Sequence, residues 1–166
     1  MVRVDIETIV MAAGPVPSLI VLRERSSKSD SPAPLRSLSI QTGSFEAAAI
    51  SRGIDSGRAE RPITHDLLLD TVDALGAKLE RIEIVRAEPP VFYATIVVLA
   101  DGEERKIDAR PSDAIALAVR SNAPMFVEDD TMNRLGTVST HAEDVDDEQE
   151  FEKFDEFVHT LSPDDF

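Results

Sequence analysis

Asp108, Arg110 and Asp113 stand close together in the run Ile107-Asp-Ala-Arg-Pro-Ser-Asp-Ala-Ile-Ala-Leu-Ala-Val-Arg120. Carboxylates gathered at one point can hold a hard divalent cation that activates water, and an arginine beside them can meet an anion. Glu46 holds an equivalent place earlier in the chain, so Asp108, Asp113 and Glu46 are the expected ligands of Mg²⁺ or Mn²⁺. His65 adds a group able to act as a base at neutral pH, with Asp66 beside it. Arg58, Arg61, Arg120 and Arg52 are the other cations within reach of an anion. Each residue also has a plain structural reading. First-turn acids such as Glu46 and Asp113 suit a helix dipole, and Asp108 can pair with Arg110. His65 can bond a neighbouring loop, and Asp66 can share a solvated stripe with Asp70 and Asp73.

These residues depend on a strand–helix corner. Ile107 and Ala109 flank Asp108 with strand alternation, Pro111 suits a first helical turn, and Asp113 follows inside it. Residues Ala114 to Val119 are apolar on every side, which predicts a buried helix. Upstream, strands are expected over Val2–Met11, Ser18–Arg25 and Leu35–Gln41, with a Ser- and Pro-rich loop at 26–34. A helix should open at Ser44 as N-cap and stop at Gly53. A second should open at Thr64, bury Leu67, Leu68, Val72 and Leu75, and end at Gly76. Strands follow over Lys78–Arg86, Val91–Ala100 and Glu103–Ala109, with Asp101-Gly102 as a hairpin turn. Ala123–Val127 should close the sheet, and a short helix should occupy Glu128–Gly136.

The expected fold class is α+β, a domain at 1–136 made of two units of three strands and a helix. The match of Glu46-Ala-Ala-Ala-Ile50 to Asp113-Ala-Ile-Ala-Leu117 suggests an internal duplication. An acidic linker at 137–147 and an acidic amphipathic helix at 148–166 should follow. Phe151, Phe154, Phe157, Val158 and Leu161 form the apolar stripe of that helix, which would dock on its own domain or on another subunit.

The net charge is −15 and cysteine is absent, so disulfides and thiolate chemistry are excluded. From His141 onward eleven acids stand against one lysine, so two thirds of the net charge lies in that tail. The remainder is mildly acidic without a basic stripe, which disfavours a nucleic-acid partner. There is no run of membrane-spanning length and no export signal, so no membrane partner is expected and the cytoplasm is the expected location.

Four segments together are similar to the bifunctional nuclease domain family: the corner itself, Thr42-Gly-Ser-Phe-Glu-Ala-Ala-Ala-Ile50, Arg61-Pro-Ile-Thr-His-Asp-Leu-Leu68 and Phe92-Tyr-Ala-Thr-Ile96. The resemblance spans about residues 3 to 136. It implies hydrolysis of phosphodiester bonds in DNA or RNA. In a metal-assisted form, Asp108 and Asp113 would hold the cation, His65 would assist water and Arg110 would meet the phosphate. The alternative is a non-catalytic interaction or regulatory module, a homo-oligomer with the dimer as first expectation.

Overall fold

The computed structural model describes residues 1–13, 15–25, 34–55 and 60–138. Two antiparallel meanders form the frame. The first comprises β1 (Val2–Val10), β2 (Ser18–Glu24) and β3 (Arg36–Thr42), followed by α1 (Ser44–Asp55) and α2 (Thr64–Ala74). The second comprises β4 (Ala77–Glu88), β5 (Val91–Ala100) and β6 (Glu103–Ala109), followed by α3 (Pro111–Ser121). β7 (Met125–Val127), α4 (Asp129–Leu135) and β8 (Thr137–Val138) complete the described chain.

Among the described residues all strands join one mixed sheet of eight, in the order β6-β5-β4-β7-β1-β2-β3-β8. The short β7 stitches the meanders together. It runs parallel to β4 (Ile82 opposite Met125) and antiparallel to β1 (Val2 opposite Val127). The expected α+β class is therefore what the chain adopts. The meanders turn where their residues allow: Asp101 and Gly102 both take positive φ between β5 and β6, as a tight hairpin requires.

The core is aliphatic. Val4, Ile20, Leu22, Leu38 and Ile40 from one meander meet Ile82, Ile84, Ala94, Ile96 and Val98 from the other. Buried Ala114–Ala118 of α3 and Ile50 of α1 cover them. The alanines keep α3 thin enough for α1 and α2 to approach it.

Gly53 belongs to this packing and does not end α1 as expected, because the helix runs on to Asp55. A Cβ at Gly53 would lie 2.7 Å from Arg120 Nη1 and 2.7 Å from Val119 Cγ2 on α3. The residue's missing side chain is thus a contact requirement. Alanine in mid-helix ordinarily stabilises by about 0.5–1 kcal/mol relative to glycine. Here the collision should outweigh that gain, since overpacking costs about 1–3 kcal/mol. Gly53→Ala is expected to lower the urea midpoint; a raised midpoint would show that α1 and α3 separate freely.

Other expectations need correction. The N-cap of α2 is Ile63, not Thr64, and that of α1 precedes Ser44, which is already helical. The face of α2 is also turned. Asp66 is buried, whereas Leu67, Leu68 and Leu75 are exposed, and Leu69 and Val72 supply the apolar contact. The physical reason is Arg120, which draws Asp66 inward. Thr137 and Val138, expected to begin the linker, pair with Ser37 and Arg36 of β3. The loop from 26 to 33, the linker from 139 and the amphipathic segment at 148–166 lie outside the described residues.

Candidate active site

Three helix starts meet at one rim of the sheet. In α1, Ala47 N–H donates to Gly43 O across the first turn, and Glu46 lies in that turn. The Glu46 carboxylate folds back over Gly43 so closely that a Cβ there would collide with it. In α2, Asp66 Oδ2 accepts the Ile63 backbone N–H at 3.1 Å, which fixes the start of the helix and the position of His65. In α3, Arg110 is the N-cap, Pro111 the first helical residue and Asp113 the first-turn acid. Each start contributes a positive dipole end.

Side chains from the three starts form a continuous chain of contacts. Arg110 grips Asp113 with a two-pronged fork, Nε to Oδ2 at 2.7 Å and Nη2 to Oδ1 at 3.0 Å. Its Nη1 donates to Glu46 Oε1 at 3.0 Å. On the other side, His65 Nε2 lies 3.4 Å from Asp113 Oδ1. The guanidinium is the open end of the cluster, 64% exposed, whereas the imidazole is largely sheltered at 16%. A cleft of about 270 Å³ opens beside Arg110, bounded by Gly43, Glu46, Pro90, Phe92 and Ser112.

The electrostatics follow the fork. The hydrogen bonds from Arg110 hold the Asp113 carboxyl below the ordinary aspartate range; partial burial opposes this and the bond to His65 assists it. Arg110 is held correspondingly more basic, chiefly by Asp113 and then by Glu46. A depressed acid stabilises the fold fully above its unfolded value and loses that contribution as pH falls through the folded value. The stability gap between the native chain and Asp113→Asn should therefore be open at neutral pH and narrow as pH drops below 3.8, the ordinary aspartate value. Urea midpoints across that range would show it; a gap that persists undiminished in acid would contradict the assigned charge.

Of the residues singled out by sequence, Glu46, His65, Arg110 and Asp113 come together. Asp108 does not join them. It sits on β6 opposite Thr95, while its neighbour Ala109 sits opposite Ala94 and packs on the core. Strand alternation therefore turns Asp108 to the sheet face away from α3. Among the described residues, no ion pair or side-chain hydrogen bond reaches it. Nor do any three His, Asp or Glu side chains among the described residues gather as metal ligands. The space between Glu46 and Asp113 is taken by the guanidinium of Arg110. The donor set expected for Mg²⁺ or Mn²⁺ is thus divided between two faces and bridged by a cation of the chain's own.

Asp66 and Arg120 form a second unit, behind the first. Asp66 Oδ1 accepts from Arg120 Nε at 2.9 Å, and the two side chains are 9% and 8% exposed. Arg120 Nη1 and Nη2 donate to the carbonyls of Ala116 and Ala49, at 2.8 and 2.9 Å. This arginine bolts α1, α2 and α3 together. Asp66 is its partner, so the expected polar stripe is broken. The signal for it was available in the spacing from Ile63 to Asp66, which suits an acid reaching back to its own helix start. Arg61 is exposed, and Arg58 lies outside the described residues.

No helix among the described residues is long and apolar enough to cross a membrane.

Comparison with known proteins places the same region in one family. The model of the bifunctional nuclease domain matches residues 20–140. The chain is similar to two proteins of Mycobacterium tuberculosis, both named only as uncharacterized: MT1877 of strain CDC 1551 and Rv1829 of strain H37Rv. Each is 38% identical over 136 residues, covering 79% of this chain and 81% of the relative. The matched region runs from β2 through β8 and holds every member of the three-helix corner, and the chain belongs to the bifunctional nuclease domain family.

Proposed function

We propose that the chain cleaves phosphodiester bonds of nucleic acid at the corner formed by Glu46, His65, Arg110 and Asp113. Family membership supports a nuclease-like activity. One observation carries the location: the unbroken run of contacts from His65 through Asp113 and Arg110 to Glu46, beside an open cleft. With Nε2–H directed at Asp113, Nδ1 of His65 keeps the lone pair a base needs. Asp113 orients the ring, and Arg110 offsets the charge that gathers on the phosphoryl oxygens in the transition state. Glu46 steadies Arg110 at the cleft.

This corner suits RNA better than DNA. In RNA the nucleophile is the neighbouring 2′-hydroxyl, already placed within the substrate. His65 takes its proton, the oxygen attacks phosphorus, the bond to the 5′-oxygen breaks, and that oxygen takes a proton from solvent. Because the expected metal donors are divided between two sheet faces, the imidazole rather than Mg²⁺ or Mn²⁺ is assigned the activation step.

The test is cleavage of labelled single-stranded RNA and DNA by purified protein with EDTA or with added Mn²⁺. RNA cleavage that survives EDTA and falls in Arg110→Ala is the expected result. Activity that needs Mn²⁺ would overturn the metal-free form. Absence of cleavage under every condition would favour the second reading, an oligomeric interaction module. That reading has one observation in its favour, the exposed leucines Leu67 and Leu68 of α2 and Leu75 at its C-cap.

A further inference from the structure

We infer that the free edge of β6 pairs antiparallel with β6 of a second copy of this chain, about a two-fold axis at Ile107. β6 ends the sheet on one side, with β5 as its single neighbour among the described strands. The N–H and C=O groups of β6 that do not bond to β5 point outward and offer a ladder to another strand. Every residue from Glu103 to Asp108 is exposed, so no described element covers this edge. The opposite edge differs, because β8 pairs with Arg36 and Ser37 of β3. Ile107 is the anomaly on β6. It stands opposite Ile96 of the core and so projects on the helix-bearing face, yet it is 47% exposed.

Charges on an edge ordinarily keep other strands away, so their order along β6 decides the case. Two identical strands pair antiparallel about an axis normal to the sheet, centred on one residue. With Glu104, Arg105, Lys106 or Asp108 at the centre, that residue meets its own charge. With Ile107 at the centre, two apolar side chains meet, and Lys106 of each copy stands opposite Asp108 of the other. Arg105 then faces Ala109, and Glu104 comes opposite Arg110 at the rim of the corner. No like charges are opposed. Lys106 and Asp108 project on one face, beside Val97 and Thr95 of β5, so the crossed pairs can form side by side. Both partners are available. Lys106 is 62% exposed with a contact to Glu83 at 3.5 Å, and no ion pair or side-chain hydrogen bond among the described residues uses Asp108. The pairing puts both helix layers on the same side of one continuous sheet. The two Arg110 positions then lie about 20 Å apart, six residues along the ladder.

Sedimentation equilibrium of the full chain tests this. The native chain should be a dimer. Asp108→Lys sets lysine against lysine twice and should raise the dissociation constant by about 10- to 100-fold. Because Asp108 is exposed and holds no described partner, circular dichroism should report an unchanged fold. The chain has no cysteine, so Ile107→Cys provides one thiol per copy, placed opposite its twin. Copper phenanthroline as oxidant should join the copies through a disulfide, seen on a denaturing gel without reductant. Ser39→Cys, exposed on β3 beyond its pairing with β8, should not join. A native chain that stays monomeric would overturn the inference. So would a dimer indifferent to Asp108→Lys, or cross-linking of Ser39→Cys in preference to Ile107→Cys. A dimer that dissociates only on Leu68→Ser would place the contact on α2 and overturn it as well. The cleavage assays bear on the corner alone, so this pairing stands or falls apart from the nuclease reading.

Discussion

Arg120→Ala should lower the unfolding free energy by about 3–5 kcal/mol, the usual cost of leaving one member of a buried ion pair without its partner. The guanidinium makes three separate contacts: Asp66 on α2, Ala49 O on α1 and Ala116 O on α3. Deleting it leaves the Asp66 carboxylate in a site with little water, held by Ile63 N–H, and opens a void behind Gly53. Asp66→Asn should cost a substantial part of the same amount, since an amide keeps the shape and loses the charge. An ion pair such as Arg134–Asp130, both more than half exposed, makes the control: its removal should change little, because exposed pairs are screened and mobile. Urea unfolding of the three variants checks the ordering. If Arg120→Ala unfolds at the native midpoint, the three helices are held by their alanines alone.

The second large effect concerns rate. His65→Ala should reduce RNA cleavage by about 10²- to 10⁴-fold, the range contributed by a positioned base. Arg110→Ala removes charge from the cleft and Asp113→Asn removes the acceptor that orients the ring, so each should also fall steeply. The combined variants should fall little further, because residues that act as a unit are not additive. The three side chains sit on the rim rather than in the aliphatic core, so loss of activity can be separated from loss of fold by the urea midpoint. His65→Gln is the useful companion, since it keeps a polar group near Asp113 without a base of comparable strength.

The strands were legible because their alternation and β-branched content report one-sided burial directly. The α3 helix was legible for the opposite reason: Ala114–Val119 is apolar all round, and Ala114–Ala118 are all buried. What periodicity missed in α2 was a tertiary effect. Asp66 reads as polar and therefore outward, yet a buried arginine from a helix 54 residues later reverses the face. Gly53 misled in the same way, because a glycine needed for close approach and a glycine that ends a helix look alike in sequence. In the corner itself, Asp113, Arg110, Glu46 and His65 were found from their places at helix starts. Asp108 was misplaced by proximity along the chain. It stands five positions before Asp113, but the pleat of β6 sends it to the other face, and alternation from Ala109 already contained that answer.

The corner's claim to chemistry is tested most directly by cleavage of a labelled single-stranded RNA in EDTA, comparing native protein with His65→Ala at equal concentration. The account predicts cleavage by the native chain and a loss of at least about 100-fold in the variant. Equal rates from both proteins would contradict it, and so would a native activity that EDTA abolishes.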